Sequence, residues 1–368
     1  MNLNTLGWHD FFASHFASFQ EQGFVPGRIA QEHRNCYQVL FRDGELRAEV
    51  SGKFRHDSQT RADFPAVGDW VALAAKPGQE RAIIHAVLPR RSVFSRKAIL
   101  SGGMPETGGT TDQQVLAANV DTVMLITGLD DNYNVRRIER YVTIAWDSGA
   151  APVIVLNKAD LCDDVDARVR EVADAAIGVP VHAVSAMENS GLEILQEYIK
   201  SGQTVAFLGS SGVGKSTIIN HLLGTERQKV QDVRGGDSRG RHTTVHRELI
   251  VLPDGGIVID TPGMREIQPW SNDEGIERTF ADIIDLATHC RFNDCSHQNE
   301  PGCAIRQALE DGTLDRKRFR NYLKLQKELA HLARRQNEHA ARQEQRQWGK
   351  RIRNYHKAMK ELRKKGLA

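Results

Sequence analysis

Apolar residues follow two different rhythms along the chain. Up to about residue 98 they come in short runs: YQVLF (37–41), LRAEVSG (46–52), DWVAL (69–73) and AIIHAVL (82–88). Arg42-Asp43-Gly44-Glu45 separates the first two, and Asp-Gly between β-rich runs signals a hairpin. Pro65, Gly68, Pro77 and Gly78 punctuate the remainder. This spacing predicts a small β-barrel, specifically an oligonucleotide-binding (OB) fold, with another five-stranded module as the alternative.

A Gly- and Thr-rich stretch, SGGMPETGGTTDQQ (101–114), reads as a linker. Beyond it the runs VDTVMLIT (120–127), APVIVLN (151–157), VPVHAVS (179–185) and TVAFLG (204–209) are almost continuously apolar. Helical stretches lie between them, such as RRIERYVTIAWDSG and GLEILQEYIKSG. Strands buried on both faces and alternating with helices predict a parallel α/β sheet. After Gly263 the pattern turns helical, passes a cysteine cluster and ends in a long basic stretch. The expected division is therefore 1–110 as barrel and linker, 111–272 as an α/β nucleotide-binding domain, and 273–368 as a helical metal-binding domain with a basic tail. A length of 368 residues suits such a multi-domain chain.

Composition narrows the class. With 40% hydrophobic and 26% charged residues the chain reads as globular, and no apolar run approaches the roughly 20 residues of a membrane span. The start, MNLNTLGWHDFFASHF, lacks the basic and then apolar order of a secretion signal, so a cytoplasmic location is expected. Cys36 and Cys162 stand alone, whereas three cysteines cluster between 290 and 303, an arrangement suited to metal binding in a reducing compartment. The net charge of +2 hides an asymmetry: residues 316–368 hold 18 Lys and Arg against 4 Glu, leaving the remainder at −12. That tail is the expected polyanion-binding segment.

GSSGVGKST (209–217) is a phosphate-binding loop, set between an apolar strand and the helical stretch STIINHLLG. Gly209, Ser210, Ser211, Gly212, Val213 and Gly214 would turn backbone N–H groups toward a phosphate. The following helix adds its positive N-terminal end, Lys215 spans the β- and γ-phosphates, and the Ser216 hydroxyl, followed by Thr217, meets Mg²⁺. DTPG (260–263) follows the strand GIVID, which places Asp260 to hold Mg²⁺ and the Gly263 N–H near the γ-phosphate. Between them lies GRHTT (240–244), where Thr243 or Thr244 can reach the same ion. The glycine-rich, charged segment before it suits a loop ordered by ligand.

Asn157-Lys158-Ala159-Asp160 closes an apolar strand, at the end where open α/β sheets bind ligands. The Asp160 carboxylate can accept from N1–H and the exocyclic amine of guanine, whereas adenine presents an acceptor at N1; such polar complementarity discriminates by roughly 10⁴ or more. Ser185-Ala186, at the end of the next strand, supplies a backbone N–H for the guanine carbonyl. The parts are complete but run base, phosphate, switch, Mg²⁺. This order is a circular permutation of the usual GTPase arrangement, which a parallel sheet tolerates because its termini lie close together.

The set NKAD, SA, GSSGVGKST, GRHTT and DTPG, with VGDWV (67–71) and the cysteine cluster, resembles the circularly permuted, small-subunit-dependent GTPases of the RsgA type over nearly the whole chain. The resemblance implies an OB barrel, a permuted GTPase domain binding GTP or GDP, a C-terminal zinc domain, and a role in late maturation of the small ribosomal subunit. One feature departs from ordinary GTPases. Met264 follows DTPG where many place a water-orienting glutamine, so intrinsic turnover is expected to be slow. His242, acting with Lys215 and Thr244, is the candidate for positioning the attacking water once a partner orders the loop.

Cys290, Cys295, His297 and Cys303 supply three thiolates and an imidazole within fourteen residues, a set suited to a closed structural Zn²⁺ site. The basic tail carries Phe319, Tyr322, Trp348 and Tyr355, so its cations can bind a phosphate backbone while aromatics stack on bases. The expected partner is the small ribosomal subunit and its rRNA, with no membrane, no sequence-specific DNA and a monomeric state. Two rival readings are a nucleotide-gated rRNA-binding placeholder with negligible hydrolysis, and an ATP-dependent RNA enzyme, which Asp160 disfavours.

Overall fold

The computed structural model describes residues 2–33, 36–75, 80–99, 111–224, 247–260, 274–331 and 333–334. Its N-terminal module is a five-stranded barrel of β1 (Val25–Glu32), β2 (Tyr37–Phe41), β3 (Gly44–Val50), β4 (Trp70–Ala74) and β5 (Arg81–Val87). The order is β1-β2-β3-β5-β4, and β4 pairs back onto β1 to close it. Period-two patterning drives the closure: on β3, Leu46 and Ala48 are buried while Glu45, Arg47 and Glu49 face out. Ile29, Val39, Val71, Leu73 and Ile84 complete the interior.

Helix α1 (Asp10–Glu21) was not expected from the sequence, which read here as strands only. Its buried Phe12 and Phe16 lie one turn apart and pack, with Trp8, around the fully buried Trp70 of β4. Each buried phenylalanine contributes roughly 1.5–3 kcal/mol. Helix α2 (Gly52–Asp57) joins β3 to the β4 side, capped by Ser51 Oγ, which accepts from Phe54 N–H.

The expected linker is partly a strand. β6 (Val93–Ile99) and β7 (Thr111–Ala118) form an antiparallel ribbon, so Thr111–Gln114 pair with residues 96–99. Gly68 of VGDWV lies against this ribbon at φ +92°, where a Cβ would stand 2.1 Å from the Ala118 carbonyl oxygen. The neighbouring Asp69 is buried and accepts from Ala66 N–H and the Arg90 guanidinium.

The second module is an α/β sheet in the order β10-β9-β8-β11-β13-β12, built from β8 (Thr122–Gly128), β9 (Ala151–Asn157), β10 (Val181–Ala183), β11 (Thr204–Gly209), β12 (Glu248–Val251) and β13 (Ile257–Asp260). All its pairings are parallel except β12 with β13. Helix α3 (Val135–Ser148) starts at Asn134, whose side chain accepts from Arg137 N–H, and stops at Gly149 in the left-handed region. Ile138, Tyr141, Val142 and Ala145 form its buried stripe. Helix α4 (Val165–Ala175) links β9 to β10, and α5 (Lys215–Leu223) follows β11. The stretch expected as a helix before β11 is a 3₁₀ helix, Leu192–Tyr198.

Barrel and sheet are joined edge to edge, because β1 pairs with β12 through Gln31 and Glu248. A buried guanidinium fastens the junction: Arg28 of β1 donates to the carbonyls of Leu6, Gly68 and Asn119 and to Thr204 Oγ1 at the start of β11.

The third module is helical: α6 (Glu274–Thr279), α7 (Ala281–Thr288), α8 (Ala304–Asp311) and α9 over residues 316–331. Phe280, Ile283, Ile305, Leu314, Leu325 and Leu329 make its core. It rests on α3 through Gly275, where a Cβ would come within 2.4 Å of the Thr143 carbonyl oxygen. No helix among the described residues is long and apolar enough to cross a membrane.

Candidate functional site

The phosphate loop leaves β11 at Gly209 and enters α5 at Lys215. Parallel pairing of β11 with β8 on one side and β13 on the other sets the loop at the centre of the sheet's C-terminal edge. Gly214 has φ +94°, and a Cβ there would lie 2.1 Å from Asn157 Nδ2, so both backbone conformation and space require glycine. Lys215 Nζ donates to the carbonyls of Gly209 at 2.8 Å and Ser210 at 2.5 Å, which keeps the ammonium at the loop. Asp260 ends β13 and is buried.

The segments expected to bind the base meet this loop through one side chain. Asn157, buried at the end of β9, donates from Nδ2 to the Val213 carbonyl at 2.8 Å, and its Oδ1 accepts from Ala186 N–H at 3.0 Å. Ser185 Oγ donates to Asp160 Oδ1 at 2.5 Å and accepts from Glu188 N–H at 3.1 Å. Asp160 is thereby held by a hydroxyl. Lys158, at φ +63°, pairs with Asp130 at 2.6 Å.

Asn157 and Ala186, and Asp160 and Ser185, are thus paired by hydrogen bonds, and Asn157 joins these segments to the 209–217 loop at Val213, 56 positions away, while Lys158 between them turns to Asp130. His242, Thr243, Thr244, Gly263 and Met264 lie outside the described residues. Asp130 carried no sequence signal, sitting in a polar turn-like stretch, LDDNYN.

The second cluster lies in the helical module. Ligand atoms of Cys290, Cys295, His297 and Cys303 all fall within 4.8 Å of one another. His297 Nδ1 is 3.6 Å from Cys290 Sγ and 3.5 Å from Cys303 Sγ, and those two sulfurs are 3.9 Å apart. Tetrahedral zinc bonds imply about 3.8 Å between sulfurs and about 3.6 Å from sulfur to nitrogen. The Cys290, His297 and Cys303 spacings match those of a zinc site, and with Cys295 within 4.8 Å the four donors are compatible with one zinc ion. Cys303 also caps α8, its Sγ accepting from Arg306 N–H at 3.4 Å, so the cluster and the helix core are built together. Glu300 fixes the intervening loop by accepting from Ser296, Gln298 and Asn299 N–H groups.

A P-loop at the centre of a permuted sheet, a guanine-type carboxylate hydrogen-bonded into the same assembly, and flanking barrel and Cys₃His modules define a circularly permuted guanine-nucleotide-binding protein. Comparison with known proteins agrees. The sequence profile of the RsgA GTPase family matches residues 87–270. The small ribosomal subunit biogenesis GTPase RsgA of Opitutus terrae is 48% identical, covering 95% of this chain and 96% of its own. The protein of that name in Syntrophotalea carbinolica is 45% identical, covering 90% of each chain. Among solved structures, YjeQ from Thermotoga maritima superposes with TM-score 0.61 at 28% identity, over 83% of this chain and 99% of its own. YloQ, a circularly permuted GTPase, shares the fold with TM-score 0.58 at 23% identity, over 84% and 96%. The chain belongs to the RsgA GTPase family.

Proposed function

We propose that this protein hydrolyses GTP to GDP and phosphate in the late maturation of the small ribosomal subunit, bound to that subunit and its rRNA, and dissociates afterwards. The observation that supports the reading is the double hydrogen bond of Asn157 to Val213 and Ala186, which ties the NKAD loop to the 209–217 loop. There Asp160 reads guanine, with Ser185-Ala186 beside it and the Ala186 N–H held by Asn157 Oδ1, while the 209–214 backbone and Lys215 bind the phosphates. Ser216 and Asp260 hold Mg²⁺, whose charge offsets that of the phosphate oxygens. His242 positions water, with Thr243, Thr244 and Gly263 closing on the γ-phosphate side. Zinc at the Cys₃His cluster is structural.

The modules 1–110, 111–272 and 273–368 divide the work into RNA contact, nucleotide chemistry and a second RNA contact. The relatives named as small ribosomal subunit biogenesis GTPases support the partner, and the charge of residues 316–368 supports rRNA as its chemistry. The test is GTP turnover by the full chain with and without purified small subunits, with ATP as competitor. Turnover is expected to be slow alone and strongly raised by subunits, with ATP failing to compete. Turnover at background with every ribosomal particle would overturn the enzymatic reading.

A further inference from the structure

We infer that Asp130 is a positioning residue for guanine recognition, acting through Lys158; the inference rests on the GTP-binding reading above. Lys158 stands between Asn157 and Asp160 in the base loop, at φ +63°, a conformation that residues with side chains rarely adopt. Its neighbours are already committed, Asn157 to Val213 and Ala186, and Asp160 to Ser185. The left-handed turn between them needs its own restraint.

The end of β8 supplies one. Leu129 N–H donates to the Asn157 carbonyl at 2.8 Å, and Asp130 Oδ2 accepts from Lys158 Nζ at 2.6 Å. Both side chains of the ion pair are largely covered, at 22% and 21% exposure, so solvent screens it less than a surface pair. The other carboxylate oxygen accepts from Asn132 N–H at 3.1 Å, which fixes the acid's orientation. The strand is shaped around this group: a Cβ at Gly128 would lie 2.8 Å from Asp130 Oδ1. Burial alone would raise the Asp130 carboxyl, but the hydrogen bonds from Lys158 and Asn132 hold it below the ordinary aspartate value, so it is ionised at neutral pH.

Lys158 is therefore anchored from a strand that contributes none of the residues recognised as binding motifs. Loss of the anchor frees the turn that presents Asp160 to the base, while Asn157 still holds Val213 and the phosphate loop. The defect should fall on what GTP and GDP share, the guanine, and not on the γ-phosphate.

The experiment compares D130N and D130E with the wild-type full chain in equilibrium binding of GTP and GDP, in KM and kcat of turnover, and in melting without nucleotide. D130N is expected to weaken GTP and GDP equally, by about tenfold, the size expected for a charge-assisted hydrogen bond. The loss should appear in KM rather than kcat, and D130E, which keeps the charge, should recover most of it. Wild-type affinity in D130N, or a loss confined to GTP, would overturn the inference. So would a large drop in melting temperature with no recovery of binding in D130E, since that marks a purely structural role. A wild-type protein that bound neither nucleotide would instead sink the GTP reading itself.

Discussion

The Asn157 side-chain amide reaches from the end of β9 to the Val213 carbonyl at 2.8 Å, and the same side chain accepts from Ala186 N–H at 3.0 Å. One buried side chain thus bridges the loop proposed to read the base and the loop proposed to hold the phosphates. Replacing it with alanine leaves a buried carbonyl and a backbone N–H without partners, a penalty of about 1–3 kcal/mol each. N157A should weaken GTP and GDP together by roughly a hundredfold. Isothermal titration would show it, and near-normal binding would mean that the two loops do not depend on this bridge.

Asp160 makes a sharper chemical prediction. In D160N the amide keeps one acceptor but replaces the other with a donor, which clashes with the guanine exocyclic amine and suits the carbonyl that xanthine carries there. GTP affinity should fall by about a hundredfold or more, with xanthosine triphosphate gaining affinity. Ser185 continues to hold the substituted side chain, since its hydroxyl can donate to the remaining oxygen. Competition between the two triphosphates gives the answer, and an unchanged preference for GTP would remove Asp160 from base recognition.

The cysteine cluster should bind one zinc per chain, measurable by metal analysis of the purified protein. C295S removes one of four donors at the rim of the module, and Cys303 also caps α8, so metal loss should loosen α8 and the core behind it. A strong chelator or C295S is expected to lower the melting temperature of the helical module while GTP binding persists. Full stability in metal-free protein would show that the cluster is four satisfied side chains and no more.

The motifs of the nucleotide site and of the metal cluster were legible because each is local: a glycine-rich loop, an acid at a strand end, and, in the helical module, cysteines within a few positions of one another. The NKAD, SA and 209–217 loops meet because β9, β10 and β11 run parallel and deliver them to one edge. The less legible residues act over distance or against type. Asp130 meets its partner 28 positions away, and an aspartate in a turn-rich stretch has the ordinary explanation of turn chemistry. Arg28 carries a charge into a junction where its partners are mostly backbone carbonyls, which no side-chain pattern announces. Helix α1 was hidden by its phenylalanines, which favour strands but pack here at helical spacing. The linker ending at Gln114 seemed structureless because Gly and Thr dominate it, yet its last residues pair with β6.

Glu139 shows what distance hides and supports a pH prediction. It is an acid in the middle of α3 that is fully buried, and it accepts from Arg136 at 2.6 Å, Arg318 at 2.8 Å and Asn321 at 2.6 Å. Arg318 in turn donates to Asp282 and to the carbonyls of Ala175 and Thr279, so α9 is fastened to α3 and α4 by one guanidinium. Burial pushes the Glu139 carboxyl up, and the Arg136 and Arg318 charges oppose that rise. Removing Arg318 leaves a buried acid short of one cation, at a cost of about 3–5 kcal/mol where it is ionised. In R318Q the folded-state pKa climbs further above the unfolded value. The folded protein then holds a proton that the unfolded chain has released, and stability relative to wild type falls as pH rises through that window. The deficit of R318Q should therefore be larger at pH 8 than at pH 5, read by denaturant unfolding of the helical module at both values. An equal deficit at the two pH values would show that Arg318 acts through packing and carbonyl contacts alone, with the Glu139 charge playing no part.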